Sequence, residues 1–214
     1  MYLSRLQLNL AEATVWRDVV DHPHRLHQIV MQGFPDGVKR HDAHILHRLD
    51  AAEQAMTLLV QSDIQPDWSS LDERLLLPAT PFDPIPNPAI QSLDGLALEN
   101  GRILRFRLRA NPTKRISSGK GNKPGPRVEL YKEADQIEWL INKGKRHGFA
   151  VAKDHLRINP EGKQKDYRRR LTIFTALFDG ILRVTDETAF NTAVQTGVGP
   201  AKAFGCGLLS LAAP

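Results

Sequence analysis

Five prolines fall between residues 78 and 88, and they constrain the fold of this chain more than any other feature. Proline fixes its own φ at about −65° and pushes the preceding residue toward extended conformations, so regular helix is excluded there. The segment is therefore predicted to be a stiff, extended connector. It divides the 214 residues into two halves, with predicted domains at residues 1–98 and 99–214.

The first half shows both strand and helix patterns. The predicted elements are a strand at residues 2–8, a helix from residue 23 or 24, strands at residues 44–49 and 55–61, and a helical stretch at residues 66–77. The helix prediction rests on one apolar stripe, formed by Leu26, Ile29, Val30 and Phe34.

The second half repeats this order of elements without a repeated sequence. The predicted elements are a strand at residues 102–110, a helix at 133–143, a strand at 149–156, strands at 171–178 and 181–184, a helix at 186–196 and a strand at 208–211. Asp179-Gly180 predicts a hairpin turn, and Gly144 predicts a helix end. Both halves approximate β-α-β-β-α-β, so the sequence predicts an α+β protein of tandem ferredoxin-like domains joined by the proline-rich connector.

Positive charge is concentrated in one segment of the chain. Ten Lys and Arg residues and a single acid, Glu129, lie between residues 102 and 132, although the whole chain has a net charge of only +5. Here Arg105, Arg107 and Arg109 alternate with apolar residues, which predicts a strand with one basic face. A charge run is often only a solvated face, but such a one-sided segment favours binding of a polyanion. The low aromatic content, 7%, favours recognition of phosphates and shape over base stacking.

The glycine-rich tail indicates a phosphate contact. Four glycines and one lysine lie within residues 197–207, where exposed backbone N–H groups and an ammonium can meet a phosphate closely. The usual nucleotide loops do not fit, because a Walker loop needs Gly-Lys-Ser/Thr at a helix start and Lys202 stands where GxGxxG needs its third glycine. We therefore predict phosphate contacts by Gly199, Lys202, Gly205 and Gly207. The alternative is a flexible glycine turn before a final strand.

Two histidines are candidates for proton transfer. His24 and His27 lie on nearly the same side of the predicted first helix, at the edge of its apolar stripe. Imidazole both accepts and donates protons near neutral pH, and cleavage of RNA by its own 2′-hydroxyl needs such a group. The alternative is a structural histidine on an amphipathic helix.

A metal site is not predicted. His41, His44 and His47 follow one another at intervals of three residues, but no thiolate or carboxylate motif accompanies them. We expect these three histidines to be solvated at the surface. The single cysteine, Cys206, and the lack of an apolar run of about 18 residues or a signal segment predict a cytoplasmic protein without a membrane anchor.

Three segments carry a resemblance to a known family. They are the tail from Gly197 to Pro214, the octapeptide from Arg105 to Pro112, and His24-Arg25-Leu26-His27. In this order they resemble the CasE family of CRISPR-associated proteins, which are RNA-processing endonucleases of subtype I-E systems. The resemblance extends over essentially the whole chain and implies tandem ferredoxin-like domains, with the glycine-rich loop near the groove between them.

The resemblance also implies roles for particular residues. His27 matches the family's catalytic histidine, whereas His24 stands where the family commonly has tyrosine. His24 is therefore a candidate partner acid or base, a phosphate-positioning imidazolium, or a solvent-facing residue. A second basic cluster at residues 157–170 is predicted to be a loop. The resemblance implies that a lysine or arginine of this region stabilises the transition state or grips the RNA stem, and Lys163 is nominated for it. The further predicted RNA-binding residues are Arg25, Arg105, Arg107, Arg109, Asn111, Lys114 and Arg157.

The sequence thus predicts a metal-independent endoribonuclease without a cofactor. Its predicted partners are the stem-loop of CRISPR repeat RNA and the other subunits of a subtype I-E surveillance complex. A non-catalytic scaffold subunit that binds guide RNA is the alternative, because every basic feature fits it equally and only the histidines discriminate. A nucleotide-dependent enzyme is disfavoured by the missing Walker and Rossmann spacings.

Overall fold

The structure is a computed structural model that describes residues 1–20, 22–52, 55–78, 85–116, 125–166 and 171–214. Pro81 and Pro84 of the predicted connector lie outside these residues, as do Arg168, Arg169 and Arg170 of the second basic cluster.

The N-terminal half forms a four-stranded antiparallel sheet with a short helix. Its elements are β1 (Tyr2–Leu8), α1 (Ala13–Val15), a π-helical turn (Trp16–Val20), α2 (Pro23–Met31), β2 (Leu46–Ala52), β3 (Ala55–Ser62), a 3-10 turn (Glu73–Leu75) and β4 (Ala89–Ser92). The strand order is β2-β3-β1-β4. Helix α2 buries Leu26, Ile29 and Val30, which confirms the predicted apolar stripe.

The C-terminal half forms a five-stranded sheet and a two-stranded ribbon. Its elements are β5 (Ile103–Ala110), β6 (Thr113–Arg115), β7 (Arg127–Glu129), α3 (Glu133–Arg146), β8 (Phe149–Val151), a 3-10 turn (Lys153–His155), β9 (Arg157–Asp166), β10 (Leu171–Val184), α4 (Glu187–Thr196), a 3-10 turn (Lys202–Phe204) and β11 (Leu209–Ala212). The sheet order is β11-β5-β10-β8, β9 pairs with β10, and β6 and β7 form the ribbon.

The predicted hairpin at Asp179-Gly180 is wrong. Strand β10 continues through both residues, because they pair with Arg107 and Phe106 of β5. The Asp179 carboxylate accepts hydrogen bonds of 2.6 and 3.2 Å from the Arg107 side chain. A Cβ on Gly180 would lie 3.0 Å from the carbonyl oxygen of His155, so this glycine serves close packing rather than a turn.

Several other predicted elements have different bounds. Helix α3 continues past Gly144, whose missing Cβ lets β8 approach, since a Cβ there would lie 2.4 Å from the carbonyl oxygen of Phe149. Strand β8 ends at Val151 instead of reaching residue 156. The predicted loop at residues 157–170 is a strand as far as Asp166, because it pairs with β10.

The predicted helical stretch at residues 66–77 contains only one 3-10 turn. Asp72 caps this turn by accepting a hydrogen bond from the Arg74 backbone. The chain then becomes extended, and the Leu77 N–H donates to the carbonyl oxygen of Gln7 in β1 at 2.9 Å. Pairing with the sheet thus outweighs the local helical tendency.

Each half has its own hydrophobic core. The first core lies between α2 and the four-stranded sheet and includes Leu6, Val30, Ile45, Leu58 and Val60. The second core lies between α3, α4 and the five-stranded sheet and includes Leu98, Leu108, Leu140, Phe178 and Phe190. The exact boundary near residue 98 stays a prediction.

Buried polar side chains connect the two halves. Arg48 of β2 donates to the carbonyl oxygens of Arg107 and Leu208, at 3.2 and 3.4 Å. Gln61 of β3 donates to the carbonyl oxygen of Val194 in α4 at 2.7 Å. Strands β2 and β3 are therefore fixed against β5, α4 and the tail.

The prediction of three solvated histidines is wrong for His47. His41 is exposed, and the half-buried His44 has its Nδ1 atom 2.7 Å from Asp63 Oδ2, whereas His47 of β2 has 0% exposure. Its position follows from the strand pairing, which turns His47 toward the interior. Among the residues that the structure describes, no three His, Cys, Asp or Glu side chains form a group that could hold a metal ion. None of the described helices is long and apolar enough to cross a membrane.

His47 makes stability depend on pH in a defined way. Burial, followed by the nearby charges of His27, Arg109 and Arg40, lowers the pKa of His47 from 6.5 to about 3. Between these values the unfolded chain binds a proton that the folded protein excludes. The free energy of unfolding is therefore expected to fall as the pH drops from about 6.5 toward about 3, by up to about 1.4 kcal/mol per pH unit from this residue.

Urea unfolding of the wild type and His47→Leu at a series of pH values measures this contribution. We expect the difference in unfolding free energy between the two proteins to change with pH across this window. The exposed His41→Leu serves as the control. Parallel curves for His47→Leu would show that His47 does not resist protonation in the folded state.

Candidate active site

Helix α2 places the two candidate histidines at the edge of its buried face. Pro23 occupies the first turn, where its missing N–H has no consequence, and starts the helix. Leu26 and the other residues of the apolar stripe are buried. On this helix His24 and His27 are partly exposed, and Arg25 is exposed. The helix thus presents imidazoles at a surface, as the spacing predicted.

His27 and His47 form a stacked pair. Their ring centroids are 6.2 Å apart, and the ring planes differ by 21°. Strand β2 supplies His47 from beneath helix α2, so the pair joins two elements of the N-terminal domain. Sequence reasoning missed this partner, because the pairing is a tertiary contact between residues twenty positions apart.

The glycine-rich tail lies directly beside these histidines. Its 3-10 turn, Lys202–Phe204, contacts both α2 and β2. The four glycines of the tail, Gly197, Gly199, Gly205 and Gly207, all have positive φ, which favours glycine. The structure thus brings His27 and the turn containing Lys202 together.

Some polar groups of the tail form hydrogen bonds within the protein. The Gly207 N–H donates to the carbonyl oxygen of Arg109 at 2.8 Å, and the Lys202 ammonium donates to the carbonyl oxygen of Thr196. Burial, followed by the charges of Arg40 and Lys143, lowers the pKa of Lys202. The Lys202 ammonium is therefore a half-buried cation beside other cations.

The predicted basic face of β5 is partly neutralised. Arg105 is exposed, but Arg107 is ion-paired with Asp179, and the buried Arg109 is ion-paired with Glu161. Hydrogen bonds to Asp179 raise the pKa of Arg107. Asn111 is also buried, where its side chain donates to the carbonyl oxygen of Phe174 at 2.7 Å. Arg107 is exposed as well but is held by its ion pair, so Arg105 is the exposed residue of these four for which the structure shows no ion pair.

The part of the second basic cluster that the structure describes, residues 157–166, lies on strand β9. Arg157 is exposed at the start of the strand. The Lys163 ammonium lies 5.3 Å from the centroid of the Tyr131 ring, so the contact seen for Lys163 is with the C-terminal domain and not with the histidine pair.

A basic groove that sequence reasoning missed lies between α3 and the β6–β7 ribbon. It is a cavity of about 560 Å³, whose basic lining residues are Lys114, Arg115, Arg127, Lys143 and Arg146. Of these five basic residues, only Lys114 was predicted from the sequence to bind RNA. The spacing of Trp139, Asn142, Lys143 and Arg146 along α3 is a signal that could have identified one wall, since residues three and four apart share a helix face.

The basic groove, whose lining also includes Asp135 and Glu138, adjoins the tail. Pro200 of the tail also lines the groove, and the charge of Lys143 contributes to the lowered pKa of Lys202. Among the described residues, no carboxylate lies within 4.0 Å of a charged nitrogen of Arg40, Lys143 or Lys202. Half-buried cations without carboxylate partners favour binding of an anion from outside the protein. The surface can therefore hold phosphates next to the partly exposed imidazole of His27.

Comparison with known proteins places this geometry in a family. A family model described as CRISPR associated protein matches residues 1–213. The CRISPR-associated endoribonuclease Cse3 of Thermus thermophilus is 31% identical over 228 residues, which cover 99% of this chain and 100% of that protein. The CRISPR system Cascade subunit CasE of Escherichia coli is 42% identical over 125 residues, which cover 54% of this chain and 60% of that protein.

Solved structures of CRISPR-associated proteins are also similar to this chain. Thermus thermophilus Cse3 bound to an RNA representing a pre-cleavage complex has a TM-score of 0.80 and 33% identity, with 99% of this chain and 98% of that chain covered. Escherichia coli Cas6e has a TM-score of 0.69 and 31% identity, with both chains covered completely, at 100%. The likeness confirms the predicted α+β fold with two ferredoxin-like domains. The chain belongs to the CasE family of subtype I-E CRISPR-associated proteins.

Proposed function

We propose that this protein is an endoribonuclease that binds the stem-loop of CRISPR repeat RNA and cleaves precursor transcripts into mature crRNA. One observation carries the proposal: the partly exposed imidazole of His27 stands beside the tail turn, which is continuous with the basic groove. The relatives support it, since one is named an endoribonuclease and was solved with an RNA representing a pre-cleavage complex.

The reaction uses a nucleophile that belongs to the RNA. The 2′-hydroxyl beside the scissile phosphate loses its proton and attacks phosphorus, and the bond from phosphorus to the 5′-oxygen breaks. The 5′-oxygen takes up a proton, so the products carry a 2′,3′-cyclic phosphate and a 5′-hydroxyl. His27 accepts or donates one of these protons, and no metal ion is needed to generate the nucleophile.

Nearby cations stabilise the charge that develops on phosphorus. The structure favours Lys202 and Arg40 for this role, because both are half-buried near the histidine pair. Lys163 stays a prediction, although its ammonium contacts Tyr131. His24 keeps its three candidate roles, since it lies one turn before His27 and is partly exposed.

The RNA stem lies along the basic groove and the exposed cations around it. Arg25, Arg105, Arg157 and Lys114 are all exposed and remain in the proposed binding surface. Binding by Arg107, Arg109 and Asn111 stays a prediction, because these side chains are engaged within the fold. The tail glycines that do not donate to the fold provide further backbone contacts.

The same proposal includes a place in a surveillance complex. The Escherichia coli relative is named a subunit of Cascade, so we propose that this protein retains its product and joins the other subunits of a subtype I-E complex. A cytoplasmic location belongs to the proposal, and the buried free thiol of Cys206 is compatible with it.

His27→Ala is expected to lower the single-turnover cleavage rate by at least about 10²-fold, because proton transfer by a positioned imidazole contributes that much. RNA affinity should stay within about threefold, since the imidazole contributes little to ground-state binding. Cleavage and binding are measured with labelled repeat RNA, and the exposed His41→Ala is the control. Unchanged cleavage by His27→Ala would favour the non-catalytic scaffold.

The proposed chemistry also predicts which substrates and conditions support cleavage. Cleavage should persist in excess EDTA and should stop when the nucleotide before the scissile phosphate carries a 2′-deoxy sugar. A ribose substrate under the same conditions is the control. Dependence on added magnesium, or cleavage of the deoxy substrate, would contradict attack by the 2′-hydroxyl.

Arg146→Ala tests the basic groove. It should weaken RNA binding and make the plot of log affinity against log salt shallower by about 0.7 to 0.9, the value for one phosphate contact. Lys145→Ala is the matched control, because its exposed neighbouring side chain does not line the groove. Equal salt slopes for the two variants would remove the groove from the binding surface.

A further inference from the structure

His47 is an unusual residue for a buried strand position. Its exposure is 0%, and neither ring nitrogen has a hydrogen-bond partner among the residues that the structure describes. Leaving buried polar atoms unpaired is unfavourable, and an apolar side chain of similar size would avoid this. Filling the core therefore does not account for an imidazole here.

The surroundings of the His47 ring suit an uncharged polar ring. Arg109 and Arg40 are close enough for their charges to oppose protonation of His47. A Cβ on Gly205 would lie 3.1 Å from Arg109 Nη1 and 3.7 Å from His47 Nε2, so the missing side chain of Gly205 leaves room for the Arg109 guanidinium next to the His47 ring. A neutral imidazole can direct its lone pair toward such cations, whereas a hydrocarbon ring presents a positive edge.

One face of this ring contacts His27. The two rings are nearly parallel, at 21°, with centroids 6.2 Å apart. Strand β2 also carries the buried Arg48, which anchors it to the C-terminal domain. His47 is thus a flat surface at a fixed place behind a partly exposed imidazole.

We infer that His47 is a positioning residue for His27, and that the parallel ring contact sets the plane of the His27 imidazole for proton transfer. The inference rests on the proposed function. Proton transfer depends strongly on the geometry of the donor and acceptor, so an imidazole whose plane departs from that geometry is a poorer catalyst. His47 itself is buried and does not touch the RNA.

Two variants distinguish the effect of a planar ring at position 47 from the effect of filling the same volume. His47→Leu fills much of the volume without a planar ring, and His47→Phe keeps a ring but lacks the nitrogens. Both remove unpaired buried polar atoms, and both lose the lone pair that faces Arg109 and Arg40, so these two effects oppose each other. A urea midpoint at pH 7 close to that of the wild type shows that each variant folds. If His47→Leu does not fold, His47→Met replaces it, since the methionine side chain adapts to irregular space.

Single-turnover cleavage at saturating RNA provides the functional readout. We expect His47→Leu to cleave about 30-fold more slowly than the wild type and His47→Phe to stay within about fivefold, with RNA affinity within about threefold for both. This split between rate and affinity, with rescue by an aromatic ring, is not expected of a residue that only fills the core.

Two results would overturn the inference. Wild-type rates for His47→Leu would show that His27 needs no ring behind it, and equal losses for His47→Leu and His47→Phe would show that the ring contact is not the cause. His27→Ala is measured in parallel. If His27→Ala cleaves at the wild-type rate, the proposed function fails; if only His27→Ala is slow, the function stands and the role of His47 fails.

Discussion

The buried guanidinium of Arg48 is the interaction on which the rest of the structure depends. It is 2% exposed, pairs with both carboxylate oxygens of Asp50, and donates to two carbonyl oxygens of the C-terminal half. Removing one partner of such a buried ion pair leaves a buried charge or carbonyl oxygen without a partner. This typically lowers the free energy of unfolding by about 3–5 kcal/mol. Because the adjacent His47 lies on the same strand, Arg48 also fixes where the histidine pair meets the glycine-rich tail.

The cations around the candidate site divide into two groups. Arg107 and Arg109 are paired with carboxylates and hold strands together, although their alternation with apolar residues suggested a free basic face. Lys143, Lys202 and Arg40 instead have pKa values lowered by burial, without a carboxylate partner among the described residues. These unpaired, half-buried charges are stabilised when a phosphate approaches, which connects the fold to the binding of a polyanion.

Local periodicity explains what could be predicted from the sequence. The strand pattern of residues 2–8 and the alternation of arginine with apolar residues at 102–110 predicted β1 and β5. The apolar stripe predicted α2 with its partly exposed histidines. Prediction failed where distant residues decided the outcome. The turn signal at Asp179-Gly180 was outweighed by pairing with Arg107 and Phe106 of β5. The burial of His47 and the groove between α3 and the β6–β7 ribbon also depend on contacts between separate elements, which no single stretch of sequence contains.

In the proposed reaction, His27 meets the scissile phosphate where the tail turn contacts helix α2. A crystal structure of this protein with repeat RNA that carries a 2′-deoxy sugar before the scissile phosphate would show whether they meet there. We expect the 5′-oxygen or the 2′-position to lie within hydrogen-bond reach of the His27 ring, directly or through one water, with the stem along Lys143 and Arg146. A scissile phosphate bound away from His27, with an ordered and complete stem, would contradict it.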